Sequence, residues 1–352
     1  MISRIKIENF KLFQNFELKD LRRINLISGR NNVGKSTVLE ALFLYMDHSS
    51  FESFSKLNGF RGATGTGATS MWEPLFYNMD PNNPIRIQVA EGKQIGKLQY
   101  ERDNNYLPNG LSGVPDDVLA QFRSATKNSY ALRYEYRQGN YKETGHYSIS
   151  PNGILRDVGT SLPGNEIQTM MPTQFINALF ARDFNTLING VGKLELTGEK
   201  PALIHALQQM DPNIEDIVTL SVQGVTQLYV RVLGKLMPLQ YAGDGILKLL
   251  SIIIAILERK DGLVLIDEIE TGFHYSMYGK LWRMIDHISA QSNCQVFAVT
   301  HSYELITAVK DNFADKDSFA YYRIGMSKKG TLSYRYNYDL LESALTSELE
   351  VR

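Results

Sequence analysis

The sequence predicts an α/β protein with a parallel sheet around a phosphate-binding loop. The run GRNNVGKST at residues 29–37 fits the pattern G-x-x-x-x-G-K-[ST] and stands between a short strand-like segment at 24–28 and a helical pattern at 38–46. An apolar run, at 263–266, ends in the acidic pair Asp267-Glu268. Strand and helix patterns alternate from residue 262 onward, which is typical of β-α-β units.

The loop at 29–37 predicts a nucleotide phosphate site. In such a loop the backbone N–H groups turn toward phosphate oxygens, and the N-terminus of the next helix adds about half a positive charge. Lys35 is expected to reach the β- and γ-phosphates and Ser36 to bind Mg²⁺. The residues predicted to contact the nucleotide are Gly29, Arg30, Asn31, Asn32, Val33, Gly34, Lys35, Ser36 and Thr37. A plain glycine-rich turn before a helix is the alternative, which the strand, the spacing and the Lys-Ser-Thr sequence disfavour.

Composition and charge limit the possible classes of protein. The 352 residues are 43% hydrophobic and 21% charged, which is ordinary for one large globular domain or two smaller ones. A net charge of −1 gives no global attraction to nucleic acid. The single cysteine, Cys294, excludes an internal disulfide framework and a multi-cysteine zinc site, and it suits a cytoplasmic protein. The longest apolar run, 246–257, contains Lys248 and is shorter than the roughly 18 residues of a membrane span, so we expect a buried helix and no membrane segment.

The first half of the chain is predicted to be mainly β outside the helix that follows the loop. Short strands are expected at 5–10, 16–18 and 24–27, and a Gly-, Ala- and Thr-rich surface loop at 59–70. Alternating segments between 85 and 155 predict an antiparallel sheet. Its tyrosines could form a base-stacking platform, but aromatic residues at period two are also ordinary strand filling, which we favour.

The second half is predicted to be helical first and then α/β. The expected elements are a helical section at 172–211, a hairpin at 217–232, a helix at 246–258, a strand at 263–266, a helix at 275–290, a strand at 296–300, a helix opened by Ser302 and a terminal hairpin at 319–336.

The acidic pair predicts hydrolysis of a phosphoanhydride. A buried strand would deliver Asp267 beside the Mg²⁺, and Glu268 would orient and deprotonate the attacking water. Such hydrolysis depends mainly on positioning and charge neutralisation, for which one metal-side acid and one water-side acid suffice. An apolar run ending in two acids is a weak signal alone, but it is strong after a complete phosphate loop.

Four segments together resemble the ABC-type ATPase heads of the RecF/SMC group. They are Ile7-x-Asn9-Phe10-Lys11, the loop at 29–37, the segment DEIETGFH at 267–274 and Val299-Thr300-His301-Ser302. Within the group, the chain is most similar to small coil-less AAA-family ATPases related to the overcoming-lysogenization-defect nucleases. The resemblance covers nearly the whole chain. It implies one head, 1–352, with a first lobe at 1–165 that contains the antiparallel region and a second lobe at 166–352 that contains the helical section.

The resemblance implies a homodimer or higher oligomer in which a signature segment of one subunit caps the γ-phosphate held by the other. The matching segment, called the signature-like loop below, is 239–245. Its Gly243, Asp244 and Gly245 keep backbone donors, but Ala242 replaces the serine that usually bonds the phosphate. A simple loop and N-cap for the next helix is the alternative.

The resemblance implies the same roles for the loop and the acidic pair and adds further ones. Lys35, Glu268 and His301 would be the catalytic residues, with His301 as the switch histidine that senses the γ-phosphate. Ser36 and Asp267 would be the Mg²⁺ ligands. Residues 270–272 would form the loop that crosses the dimer interface, and His274 would lie at that interface or cap a helix. Gln174 is a hypothesis for the Q-loop glutamine that rests only on its position.

The related nucleases carry a Toprim domain after the head, whereas about 50 residues follow His301 here. Asp315-Lys316-Asp317 is interpreted as a surface turn. The expected function is therefore Mg²⁺-dependent ATP hydrolysis that controls a separately encoded nuclease or toxin, in bacterial anti-phage defence. One alternative is a RecF-like, ATP-gated DNA-binding protein, and another is a scaffold that binds ATP without turnover. Candidate DNA contacts are Arg22, Arg23, Arg133 and Arg137.

Overall fold

A computed structural model describes residues 1–50, 52–59, 71–106, 131–150, 153–162, 170–177, 183–327, 330–347, 349 and 351. The strands are β1 (Ile2–Phe10), β2 (Phe13–Lys19), β3 (Ile24–Gly29), β4 (Ile85–Glu91), β5 (Gln94–Asp103), β6 (Ala131–Gln138), β7 (Tyr141–Ser150), β8 (Gly153–Leu162), β9 (Thr173–Ile176), β10 (Ile214–Val222), β11 (Val225–Val232), β12 (Lys235–Pro238), β13 (Leu263–Ile266), β14 (Gln295–Val299), β15 (Phe319–Ser327) and β16 (Gly330–Asn337). The helices are α1 (Lys35–Met46), α2 (Glu52–Gly59), α3 (Phe184–Leu196), α4 (Lys200–Met210), α5 (Asp244–Glu258), α6 (Tyr278–Gln291), α7 (Tyr303–Thr307) and α8 (Tyr338–Thr346).

Two large sheets dominate the described part of the chain. The mixed sheet has the order β16-β15-β3-β14-β13-β9, and all its neighbours are parallel except β15 and β16. The antiparallel sheet has the order β2-β1-β4-β5-β6-β7-β8, and β10, β11 and β12 form a smaller antiparallel sheet. The predicted α/β class, with a mixed sheet, an antiparallel region and a helical section, is confirmed.

The mixed sheet separates two hydrophobic cores. Alternate residues of a strand face opposite sides of the sheet, so Leu263 and Leu265 join the core around α1 and the antiparallel sheet. Val264 and Ile266 join the core formed with α5 and α6. Helix α1 is buried over almost its whole length. The loop that precedes α1 is therefore anchored in the middle of the molecule.

The aromatic residues of the antiparallel sheet belong to the core. Tyr100, Tyr134, Tyr136 and Tyr147 are all at most 1% exposed. Phe54 of α2 packs edge-on against Tyr147, with ring centroids 4.9 Å apart. These rings are covered by protein and cannot stack on bases, which is the structural interpretation favoured from the sequence.

The prediction of a helical section beginning near residue 172 is wrong at its start. Residues Thr173–Ile176 form the edge strand β9, which pairs in parallel with β13 so that Ile176 lies opposite Ile266. A four-residue segment of which only Phe175 and Ile176 are apolar carries too little periodicity to distinguish strand from helix, and the pairing with a distant strand decides. The terminal hairpin exists, but β15 also joins the mixed sheet beside β3, and the unpredicted helix α8 follows.

The predicted surface loop at 59–70 lies outside the described residues except for Gly59, which ends α2. The helices of the described ranges include none with the length and apolar character that crossing a bilayer requires.

Candidate active site

The candidate site lies at the carboxyl ends of neighbouring parallel strands. Strand β14 lies between β3, which leads into the phosphate loop, and β13, which ends before Asp267. The backbone N–H of Thr300 donates to Ile27 O at 3.0 Å, and that of Ile269 donates to Val299 O at 3.1 Å. The sheet therefore brings the phosphate loop, the acidic pair and the segment of His301 to one edge, where ligands bind in open α/β sheets.

Gly34 shapes the end of the phosphate loop. It is the N-cap of α1 and has φ 100°, in the left-handed region that favours glycine. A Cβ at this position would lie 2.6 Å from the ring of Phe13. Phe13 in turn stacks on Phe16, with ring centroids 4.2 Å apart. The turn from β1 to β2 thus packs directly beneath the loop, and no larger residue fits at Gly34.

Lys35 is held inside the loop. Its side chain is buried, and Nζ donates to Gly29 O at 2.9 Å and to Arg30 O at 2.8 Å. Burial lowers the pKa of Lys35 to about 8, and the carboxylates of Asp267, Glu270 and Glu268 oppose that shift. Of the other predicted loop residues, Arg30, Asn31 and Asn32 are exposed and Val33 and Thr37 are buried.

Ser36 and Asp267 meet across the site. Ser36 Oγ donates to Asp267 Oδ1 at 2.9 Å, although the two residues come from different strand-to-helix turns. Burial raises the pKa of Asp267, and the hydrogen bond from Ser36 opposes that shift. Mg²⁺ prefers oxygen ligands and is commonly bound by one or two carboxylates, substrate phosphates and several waters. A hydroxyl beside one carboxylate at the phosphate loop fits this ion.

Glu268 is exposed and stands on a tight turn. Its φ is 46°, which is left-handed and uncommon for a residue with a Cβ. Thr271 supports it twice: its N–H donates to Glu268 O at 3.0 Å, and its hydroxyl donates to Glu268 Oε2 at 3.3 Å. The carboxylate next to the predicted metal ligand thus faces solvent from a fixed backbone.

Glu270 connects the turn after β13 to His301. The backbone N–H of His301 donates to Glu270 Oε1 at 2.7 Å, while the His301 residue itself is exposed. Glu270 Oε2 is buried without a hydrogen-bond partner among the described residues. His274 Nδ1 accepts from the backbone N–H of Ser276, so His274 caps the short helical turn Tyr275–Met277.

The signature-like loop is largely exposed. A short helical turn, Leu239–Tyr241, leads through the half-buried Ala242 to Gly243, which has φ 86° and is the N-cap of α5. Gly243 and Asp244 are exposed, and Gly245 packs on the loop after β13 so closely that a Cβ would lie 2.5 Å from Gly272 O. The loop therefore caps its helix and also presents backbone donors to solvent.

Two polar residues of the site were missed from the sequence. Asn177 is buried directly after β9, whose last residue Ile176 accepts the N–H of Asp267 at 2.9 Å. Gln174 lies earlier in the same strand, and its Oε1 accepts from Arg259 at 2.9 Å. The second missed residue is Lys248, whose single charge within the apolar run at 246–257 was the available signal.

Comparison with known proteins identifies a family with an AAA domain. The family described as "AAA domain, putative AbiEii toxin, Type IV TA system" matches residues 24–307. An "ATP/GTP phosphatase" of Helicobacter pylori is 27% identical over 337 residues, which is 90% of this chain and 90% of that protein. "DNA replication and repair protein RecF" of Acetivibrio thermocellus is 27% identical over 124 residues, which is 34% of this chain and 33% of that protein.

A solved structure gives the same fold. "Crystal structure of the SmcHead bound to the C-winged helix domain of ScpA" superposes with a TM-score of 0.54 at 12% identity, covering 98% of this chain and 99% of that chain. At this identity, the likeness shows the fold alone.

Proposed function

The chain belongs to the family described as "AAA domain, putative AbiEii toxin, Type IV TA system", within the RecF/SMC group of ABC-type ATPases, and from this premise we propose that it hydrolyses ATP with Mg²⁺ and thereby controls a separately encoded effector. The observation that carries the hydrolysis is the hydrogen bond of 2.9 Å between Ser36 and Asp267, next to Glu268. It joins the phosphate loop to the acidic pair in one site.

Each side chain of the site has a proposed catalytic or binding role that follows from its position. Lys35 and the backbone N–H groups of the loop bind and orient the β- and γ-phosphates. Ser36 and Asp267 hold Mg²⁺, which when bound neutralises phosphate charge. Glu268, fixed by Thr271, accepts the proton of the attacking water. His301, positioned through Glu270, lies at the end of the neighbouring strand as a γ-phosphate sensor.

The proposed active form is a homodimer of one head per chain, 1–352, with lobes at 1–165 and 166–352. Gly243, Asp244 and Gly245 cap the γ-phosphate bound by the second copy. Support comes from their exposure at the start of α5, because backbone N–H groups at a helix N-terminus attract anions. ATP would therefore be needed for engagement of the two copies.

Phosphate release by the purified chain tests the hydrolysis directly. We expect turnover that requires Mg²⁺ and is lost when EDTA is added. Binding of ATP without any phosphate release would instead support the scaffold alternative. Size measurement by light scattering with and without ATP tests the dimer, and a monomer at saturating ATP would contradict it.

The effector is proposed from the resemblance to the related nucleases, and the family description, which names a putative toxin and a Type IV toxin–antitoxin system, supports a role in defence. We propose a nuclease or toxin as the partner, in anti-phage defence. Co-expression with the product of the adjacent reading frame tests this: we expect a complex whose toxicity or nuclease activity changes with ATP. An adjacent gene for a replication protein, and no complex, would contradict the defence role.

The RecF-like alternative needs a basic surface, and the arginines predicted for it are mostly paired. Arg23 pairs with Asp286 at 2.5 Å, Arg133 pairs with Glu101, and Arg137 pairs with Glu135. Salt-dependent DNA binding by the purified chain, with a steep slope of log affinity against log salt, would support this alternative over the leading proposal.

A further inference from the structure

Lys248 is a buried cation in an otherwise apolar helical segment. It lies in the second turn of α5 and is 2% exposed, between the buried Leu247 and Leu249. Its Nζ donates to Asp267 O at 3.0 Å and to Glu268 O at 3.4 Å. A buried ammonium is unfavourable unless polar partners compensate it. The two carbonyls of the acidic pair therefore fix where this charge can lie.

These two carbonyls belong to the turn that presents Glu268. The left-handed backbone of Glu268 is unfavourable for a residue with a Cβ, so the turn needs support from its surroundings. Thr271 supports it from the exposed side, and Lys248 supports it from the buried side. One turn earlier in α5, Gly245 packs against Gly272 of the same loop. Helix α5 thus contacts the segment after β13 at two points, through Gly245 and through Lys248.

We propose that Lys248 is a positioning residue for hydrolysis: by donating to the carbonyls of Asp267 and Glu268, it holds the turn in which the Glu268 carboxylate faces the attacking water. The proposal rests on the proposed ATP hydrolysis. Lys248 does not touch nucleotide in this role, so its loss lowers the rate of the chemical step and leaves ATP binding in place.

Lys248→Met tests the proposal, because methionine keeps an unbranched apolar stem of similar length and removes the donors. We expect kcat to fall about 10-fold to 100-fold, since a misplaced catalytic group costs about this much. KM for ATP should change less than about threefold. Lys248→Arg keeps N–H donors and should retain more activity than Lys248→Met.

Backbone amide hydrogen exchange of segment 267–272 gives a second readout that does not depend on turnover. In Lys248→Met this segment should exchange at least about tenfold faster, because local opening becomes easier. Ser251→Ala is the matched control. Its hydroxyl bonds Leu247 O within α5 at 2.9 Å, and its removal should leave both exchange at 267–272 and kcat within about twofold.

The outcomes separate this proposal from the proposed function. Unchanged exchange at 267–272 in Lys248→Met overturns the positioning role, whatever the turnover. A weaker ATP affinity together with a lower melting temperature, and no specific fall in kcat, also overturns the proposal. That result would indicate that Lys248 only stabilises the fold. Faster exchange in a chain whose wild type releases no phosphate overturns the proposed hydrolysis and supports the contact of Lys248 with the turn.

Discussion

Lys35, which is buried, and Ser36 and Asp267, which are half-buried, form one set within the chain, called the buried set below, whereas Gly243, Glu268 and His301 are exposed at the surface. Lys35 is 4% exposed, and its ammonium bonds two carbonyls of its own loop. The hydroxyl of Ser36 already bonds Asp267. The residues of the exposed set contact neighbouring backbone and side chains on their protein side, and their other side faces solvent.

This difference in exposure corresponds to two functions of the proposed enzyme, nucleotide binding and closure around the γ-phosphate. Binding of the β- and γ-phosphates and of Mg²⁺ uses groups that a single folded chain holds in place. Closure around the γ-phosphate uses groups that face solvent and need a second surface. We therefore expect that changes in the buried set remove nucleotide binding, and that changes in the exposed set alter turnover and assembly while binding persists.

Loss of the ammonium in Lys35→Ala should have the largest effect. Hydrogen bonds between charged groups contribute about 1.5–3 kcal/mol each, so ATP affinity should fall at least about 100-fold and turnover should be lost. Titration with a fluorescent ATP analogue measures the affinity. Lys193→Ala removes a lysine whose side chain is 61% exposed and should change the affinity less than about twofold. Unchanged ATP affinity in Lys35→Ala would contradict the role of the buried set.

Glu268→Gln should affect the chemical step and spare binding. The amide cannot accept the proton of water, so kcat should fall about 10²-fold to 10⁴-fold while ATP affinity stays within about threefold. With hydrolysis blocked, the ATP-bound dimer should accumulate, as measured by light scattering.

Glu195→Gln is the control for Glu268→Gln, because it makes the same chemical change at a side chain that is 61% exposed, on α3. Its kcat should match that of the wild type. If Glu268→Gln turned over ATP at the wild-type rate, another residue would have to be the base.

Ala242→Ser should produce a moderate gain. A serine at this position would offer the hydroxyl that typical signature segments use, and one added hydrogen bond corresponds to a threefold to tenfold tighter ATP-bound dimer, or about 0.5–1.5 kcal/mol. The dimer dissociation constant at saturating ATP measures the change. Ala290→Ser, at the exposed end of α6, is the control and should have no effect. A weaker dimer in Ala242→Ser would argue against the signature-like role of this loop.

The buried set was the more predictable half, because local sequence patterns define it. Asp267 follows β13 directly, Lys35 and Ser36 follow β3 after the short phosphate loop, and parallel strands deliver their carboxyl ends to one edge. Residues 263–268 therefore predicted both the strand β13 and the place of Asp267. The hydrogen bond from Ser36 to Asp267 is a consequence of that topology.

Contacts between segments that are distant in sequence could not be predicted. Strand β9 is defined by its pairing with β13, and four residues alone do not show a strand. In the sequence, Lys248 is visible only as a charged residue within an apolar run. Its partners are backbone carbonyls, and no pattern of side chains predicts contacts with them. The bond from His301 to Glu270 depends in the same way on the packing of β14 beside β13.

Cys294 offers the smallest expected effect and a test of whether the hydrophobic core beside the mixed sheet opens during turnover. It lies directly before β14, in the core shared with α5 and α6, and burial raises the pKa of its thiol to about 12. Since the thiolate is the reactive form, iodoacetamide at pH 8 should label native Cys294 at least about 100-fold more slowly than the denatured chain. The rate should be the same with and without ATP, because the proposed cycle moves exposed groups and leaves this core closed. Mass spectrometry of the labelled chain measures the rate, and acceleration by ATP would show that the core shared with α5 and α6 opens with each cycle.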